Sequence, residues 1–247
     1  MNNKNNEINE LVANIPTTVE LQDKYQLEKE ENVFLAKKLM VDSIWKNARL
    51  EGVNITFADT YAIVNKMKLQ SADINDINTI LNLKHAWNHI ISTCDLPLTL
   101  DYICSIQNEV SRDEALTWGK LRDGKIGISG TEYVPKIPQK ENVEQELQEL
   151  LKIKPNTYRA IKIMLWVMRS QLFWDGNKRT GLLAANKELI KGGNGIFSIT
   201  IEDLPEFNTL LTEYYDTGKD DKLISFLYKT SVKGIEFISK KERENKE

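Results

Sequence analysis

Only two cysteines, Cys94 and Cys104, occur in the 247 residues. That is too few for a disulfide scaffold and suits free thiols in a reducing compartment. Histidine is equally scarce, with two residues in all. His85 and His89 stand four apart on a predicted helix, a spacing that can bind metal. No Cys at zinc-like spacing and no Glu of a HExxH pattern accompanies them, so they read as ordinary helix residues. No apolar run is long enough to cross a bilayer, and the Met1-Asn2-Asn3-Lys4-Asn5-Asn6 start lacks a signal-peptide core. Positive charge is not in excess either: 33 Lys and Arg face 36 Asp and Glu, for a net charge of −3. That balance argues against a nucleic-acid or anionic-membrane surface. Together these absences predict a cytoplasmic protein with neither nucleic acid nor membrane as partner. Internal repeats and low-complexity tracts are also missing.

What is present is mostly helical periodicity. A chain this long with 41% hydrophobic residues buries a sizeable core, as one large domain or a domain with an appendage. Residues 1–7 are polar and expected to fray. From Val19 to Arg49 there is no Gly or Pro. An apolar stripe of Val33, Leu35, Ala36, Leu39, Met40, Ile44 and Trp45 then predicts a helix closed by Gly52. Further helices are predicted over 58–68, 74–93, 99–110, 142–152, 157–172, 178–190, 199–217 and 220–240. The helix over 157–172 is apolar enough to be central, and residues 240–247 form a charged tail. The exception is 112–138, where short alternation and frequent Gly, with an Asp123-Gly124 turn, predict a hairpin or extended loop.

The most informative stretch is Ser170-Gln171-Leu172-Phe173-Trp174-Asp175-Gly176-Asn177-Lys178-Arg179-Thr180. It joins two predicted helices through Asp-Gly-Asn, a turn-forming tripeptide that opens a helix N-terminus. That end exposes unpaired N–H groups and favours anions. Lys178 and Arg179 sit in the first turn, where the helix dipole by itself prefers acids, an arrangement that suits a bound anion. Gly176 permits close backbone approach, and Asp175 offers a hard oxygen ligand to Mg²⁺. Taken alone, the stretch reads either as a capped interhelical corner or as a phosphate site.

Phe173-x-Asp175-Gly176-Asn177-Lys178-Arg179 resembles the signature loop of Fic domains, His-x-Phe-x-Asp/Glu-Gly-Asn-Gly/Lys-Arg-x-x-Arg. The resemblance extends over roughly 43–190. It implies an all-α, Fic-fold helical bundle with a short β-hairpin flap. The domains it implies are an N-terminal helical region over 1–95, a Fic core over 96–240 and a tail over 241–247. Family members mostly transfer AMP from ATP, with Mg²⁺, to a Ser, Thr or Tyr hydroxyl of a target protein. Carried over residue by residue, the nucleotide-binding positions are Asp175, Gly176, Asn177, Lys178 and Arg179, with Asp175 on the metal. Two positions depart from the pattern. Gln171 stands where the family places its catalytic His, and Leu182 replaces the final Arg. Lys178 and the lost Arg are shared with the Doc branch, which phosphorylates its target.

Asn47-Ala48-Arg49-Leu50-Glu51-Gly52 resembles the inhibitory helix found N-terminal to many Fic domains, Ser/Thr-x-x-x-Glu-Gly/Asn. There the Glu blocks the productive pose of the γ-phosphate. Here Glu51 matches and Asn47 replaces the hydroxyl residue. The final motif Arg is the usual partner of that Glu, so Glu51 needs another, for instance Arg179 or Lys178. The segment with Lys125, Ile126, Gly127, Ile128, Gly130 and Thr131 resembles the family's flap, which registers the target segment by strand pairing.

Gln171 cannot accept a proton as an imidazole does. General-base catalysis contributes about 10²–10⁴-fold, so AMP transfer is expected to be impaired even where nucleotide binds. The reading is a Fic-domain protein that binds Mg²⁺-nucleotide at the signature loop, with its transferase activity weakened. The alternatives are a divergent AMP transferase or Doc-like phosphotransferase, and a nucleotide-responsive pseudoenzyme that binds an unknown target protein through its flap. A homo-oligomer is compatible with either.

Overall fold

The computed structural model describes residues 21–69 and 73–235, so the N-terminal stretch over 1–7 and the charged tail lie outside the described residues. The elements in order are α1 Lys29–Leu50, α2 Phe57–Val64, α3 Ile74–Ser92, α4 Leu100–Val110, α5 Lys140–Leu151, α6 Asn156–Ser170 and α7 Asn177–Gly192. A short strand β1 (Ile196–Phe197), α8 Leu204–Thr217, α9 Asp221–Thr230 and strand β2 (Val232–Lys233) follow. The all-α expectation holds. β1 and β2 pair antiparallel, Ile196 opposite Lys233 and Phe197 opposite Val232.

Helix starts follow local chemistry. Glu28 and Glu31 form a reciprocal capping box at α1, and the side chains of Thr56, Asp73 and Thr99 cap α2, α3 and α4. α6 ends where Gln171 takes a left-handed conformation, φ 47° and ψ 59°. α7 runs between Gly176 and Gly193, both at positive φ.

Two apolar clusters fill the interior, and the α6–α7 hairpin stands between them. On one side Ile163, Trp166 and Val167 of α6, with Leu183 and Ala184 of α7, join Ile44, Leu83, Trp87 and Ile103. On the other, Ile161, Met164 and Leu165, with Leu182, Ala185 and Leu189, join Phe207, Leu211, Ile224 and Leu227. A helix apolar on every face is the form such a position requires, which is how 157–172 reads in sequence. The first cluster also ties α1 and α3 into the body that holds the signature loop.

Several sequence expectations need correction. Residues 21–28 are extended rather than helical, because their polar groups bond elsewhere. Leu27 N–H donates to Gly193 O at 2.8 Å, and Asp23 Oδ1 accepts from Thr157 N–H at 2.7 Å. The last helix stops at Thr230, and the chain continues as β2. The flap stretch holds no strand, and the paired strands lie at 196–197 and 232–233, where sequence alternation is too short to register. His89 Nε2 lies 2.9 Å from Ser105 Oγ and its ring stacks on Tyr102, consistent with an ordinary helix residue. Cys94 and Cys104 are free thiols, and burial pushes Cys104 up to about 11. Among the described residues no helix is long and apolar enough to cross a membrane.

Gly181 marks the closest approach of the two central helices: a Cβ there would meet Met164 O at 2.8 Å. Gly→Ala inside a helix ordinarily stabilises by about 1 kcal/mol. Here overpacking against rigid backbone outweighs that gain, so Gly181→Ala is expected to destabilise by about 1–3 kcal/mol. A urea midpoint at or above wild type would contradict this packing.

Candidate functional site

The signature loop is fastened from within by one side chain. Asn177 Oδ1 accepts from Phe173 N–H at 3.0 Å, and its Nδ2 donates to Phe173 O at 2.8 Å and to Gln171 Oε1 at 3.0 Å. Its amide is therefore spent on loop geometry, and what it can offer an anion is backbone. The first intrahelical bond of α7 runs from Thr180 N–H to Gly176 O at 2.8 Å, so the N–H groups of 177–179 precede the ladder. Gly176 has φ 73°, and a Cβ there would run into Ser111 Oγ. The loop must be glycine at this point for the end of α4 to pack beneath it.

Four of the sequence-predicted charges converge here. Glu51, at the end of α1, lies 3.3 Å from Lys178 Nζ and 3.7 Å from Arg179 Nε. These are the two replacement partners anticipated for it. Leu182 packs in the second cluster, 1% exposed, and takes no part in the site. Asp175 Oδ2 lies 3.3 Å from Arg179 Nη2, while its side chain is 53% exposed. Asn47, on the last turns of α1, is buried, and its Nδ2 has no hydrogen-bond partner among the described residues.

Sequence reasoning missed a third carboxylate. Glu114 Oε2 accepts from Arg179 Nη1 at 2.6 Å, and its Oε1 accepts from Thr79 Oγ1 and Asn82 Nδ2 of α3, both at 3.0 Å. Burial works against the charge on Arg179, but Glu51 and Glu114 outweigh it and hold the guanidinium above the ordinary arginine range. Two cations thus face three carboxylates.

Gln171, at the position where the resemblance places a His, has an amide engaged in holding the loop. Nε2 donates to Met168 O at 2.7 Å while Oε1 accepts from Asn177. The buried Tyr215 phenol faces Gln171 and Glu51. Burial first, and then the Glu51 charge, raise its pKa, against which the Gln171 contact works. A phenol held protonated in this way is no substitute base near neutral pH.

Residues 123–129 of the flap alternate between exposed and half-buried, as an extended chain does, without a partner strand among the described residues. Lys125, Gly127 and Gly130 are exposed, and Ile126, Ile128 and Thr131 half-buried. Arg122, 1% exposed, holds the segment down. Its Nε donates to Gln171 O at 2.5 Å, Nη1 to Gly124 O at 2.5 Å, and Nη2 to Lys136 O at 2.6 Å. Gln107 bridges from α4, accepting from Gly119 N–H at 2.5 Å and donating to Asp175 O at 3.1 Å. Farther out, the Thr131 hydroxyl bonds Asp216, and the Arg169 guanidinium stacks 3.9 Å over the Tyr133 ring.

This geometry can be set beside known proteins. The model of the Fic/DOC family matches residues 97–189, the segment from the start of α4 through nearly all of α7. Solved structures share the fold. A Fic domain-containing signaling protein from Bacteroides thetaiotaomicron superposes with TM-score 0.66 at 16% identity, covering 92% of this chain and 93% of that one. Fic-1 (residues 134–508) from C. elegans gives 0.65 at 15%, covering 92% and 68%. A Fic family protein from Desulfovibrio desulfuricans G20 gives 0.59 at 16%, covering 92% and 71%. At such identities the likeness is one of fold. No curated protein matches the chain. Residues 97–189 thus match the Fic/DOC family, and the chain shares the fold of Fic-domain structures, with the loop just described at its centre.

The guanidinium of Arg122 replaces a strand ladder for the flap. Arg122→Ala removes charge-assisted bonds to the carbonyls of Gly124, Pro135, Lys136 and Gln171, and a destabilisation of at least about 3 kcal/mol is expected. Amide hydrogen exchange over 122–137 should rise together with that over 171–173. Faster exchange in the flap alone would show that the two segments are not coupled through Arg122.

Proposed function

We propose that this Fic domain binds a Mg²⁺-nucleoside triphosphate at Asp175–Arg179, is held closed by Glu51, and transfers AMP to a protein hydroxyl poorly because Gln171 supplies no base. The observation that carries the reading is the Glu51 carboxylate lying against Lys178 and Arg179 at the N-terminus of α7. An anion already stands where the cations and helix N–H groups would receive a phosphate.

The residues suit the metal as well. Mg²⁺ is commonly held by one or two carboxylates with substrate phosphates and water completing its shell. Asp175 is exposed enough to turn one carboxylate oxygen outward. Among the described residues no group of three or more acidic, His or Cys side chains could hold an ion unaided. An ion at Asp175 would thus depend on the phosphates for further ligands. It would neutralise phosphate charge there. Lys178 and the helix N–H groups would orient the phosphates, and the flap edge would align the target segment.

AMP transfer forms a bond from the target hydroxyl oxygen to the α-phosphorus, breaks the bond to pyrophosphate and passes the hydroxyl proton to a base. Gln171 cannot take that proton. Its engaged amide favours a second reading, in which the domain is a nucleotide-responsive module that recognises its target through the flap without modifying it. Phosphoryl transfer in a Doc-like pose is the remaining variant, on account of Lys178.

Gln171→His is expected to raise self- or target modification about 10²-fold or more, and Glu51→Gly to raise it further. Intact mass separates an added AMP from an added phosphate. Wild type as active as Gln171→His would mean that another group is the base, and the impaired reading falls. A companion measurement addresses binding: Glu51→Ala should bind Mg²⁺-ATP more tightly than wild type in calorimetry, and Asp175→Ala should abolish the Mg²⁺ dependence. Failure of ATP to bind either wild type or Glu51→Ala would remove the nucleotide site.

A further inference from the structure

The carboxylates around Arg179 are not equal. Glu114 lies at 2.6 Å, in hydrogen-bond geometry, and Asp175 at 3.3 Å. Glu51 stands at 3.7 Å from Nε, and both Arg179 Nε and Glu51 Oε1 are buried without a hydrogen-bond partner. The Glu51 contact is thus the loosest of the three. Glu114 is also the one least free to move. Thr79 and Asn82 hold its second oxygen from α3, and Asn82 is itself tied to Arg112 O at 2.9 Å. Arg179 Nη1 makes a further bond to Val110 O at 3.3 Å. With its side chain 5% exposed, the guanidinium is fixed in the wall of the site.

We infer that Glu114 is a specificity-determining residue: it withholds the Nη fork of Arg179 from the ligand, so that Lys178 is the cation that reads the nucleotide's phosphates. The inference rests on the nucleotide reading of the site. Arginine grips phosphate best through two parallel N–H bonds, and here Glu114 and Asp175 occupy that fork. Displacing Glu51 clears Nε–H, while Nη1 stays with Glu114 and Val110 O and Nη2 with Asp175. Lys178, whose carboxylate partner among the described residues is Glu51 and whose side chain is 31% exposed, keeps after the same displacement a bond to Leu50 O at 3.3 Å and turns its remaining donors to the ligand. Clearing Glu51 therefore opens only half of the anion site. Asp175 can rotate away, whereas Glu114 is anchored and cannot.

Calorimetry of the full chain with Mg²⁺-ATP, and with adenosine as a phosphate-free control, tests this in wild type, Glu51→Gly, Glu114→Gln and the double variant. Gln at 114 can still accept from Thr79 and Asn82 but no longer holds the guanidinium by charge. ATP affinity in Glu51→Gly/Glu114→Gln is expected to exceed that in Glu51→Gly by about tenfold or more, with adenosine affinity unchanged. Lys178→Ala should cost more in Glu51→Gly than in the double variant, where Arg179 shares its task. Glu114→Asp, which keeps the charge but shortens its reach, should give an intermediate gain and serves if Glu114→Gln folds poorly. Equal ATP affinities with and without Glu114→Gln overturn the inference and leave the nucleotide reading standing. ATP binding to none of the variants, each folded by circular dichroism, overturns both.

Discussion

The amide of Asn177 is the interaction on which the site depends. Its three bonds close the corner between α6 and α7, satisfying Phe173 on both backbone groups and Gln171 at its side chain. A buried polar group with every bond made fixes one geometry and penalises the others. The left-handed turns at Gln171 and Gly176 and the start of α7 inherit that geometry, and with them the directions of Asp175, Lys178 and Arg179. Outside the corner, Arg122 and Gln107 fasten the flap and the end of α4 to the same loop through its backbone carbonyls. The site is thus built outward from a corner whose own chemistry is structural.

Electrostatics then decides what the corner can receive. A helix N-terminus bearing Lys178 and Arg179 attracts anions, and in this fold the anions are supplied by the chain itself. Glu51 arrives from α1, Glu114 from the segment after α4, and Asp175 from the loop. On the proposed reading a ligand's phosphates would have to displace these carboxylates, two of them largely shielded from water, so affinity would be a difference between two ion-pair sets. That difference, more than the helix dipole, would then set the affinity for an anion.

Sequence made the frame legible where spacing is local. The apolar run 157–172, the Asp175-Gly176-Asn177 turn and the basic pair after it are consecutive residues, and their periodicity and turn chemistry foretold the α6–α7 corner. Glu51 could be placed against Lys178 or Arg179 because a motif supplied its role. Glu114, Gln107 and Ser111 escaped notice because their bonds reach 64–68 residues along the chain and leave no periodic trace. The flap was less legible for a related reason. Residues 112–138 read as a hairpin or an extended loop, and the extended loop is what forms, because a single guanidinium takes the carbonyls of Gly124, Pro135 and Lys136 that strand pairing would have used. Residues 21–28 likewise carried helical composition but found hydrogen bonds on α6 and α7, so tertiary partners overrode propensity.

A glutamine at 171 fits this arrangement. At a left-handed C-cap, the residue at 171 must return a bond to Met168 O and accept one from Asn177, and an amide does both without a charge. An imidazole could meet one of those demands with each nitrogen only in a fixed tautomer. The corner therefore keeps its shape while losing its proton acceptor. The ion pairs of Glu51 lie between α1 and the first turn of α7, and among the described residues no hydrogen bond joins Glu51 to Gln171. On the proposed reading closure and chemistry are then separate properties of one corner: the carboxylates would govern whether a phosphate enters, and residue 171 what could happen to it afterwards.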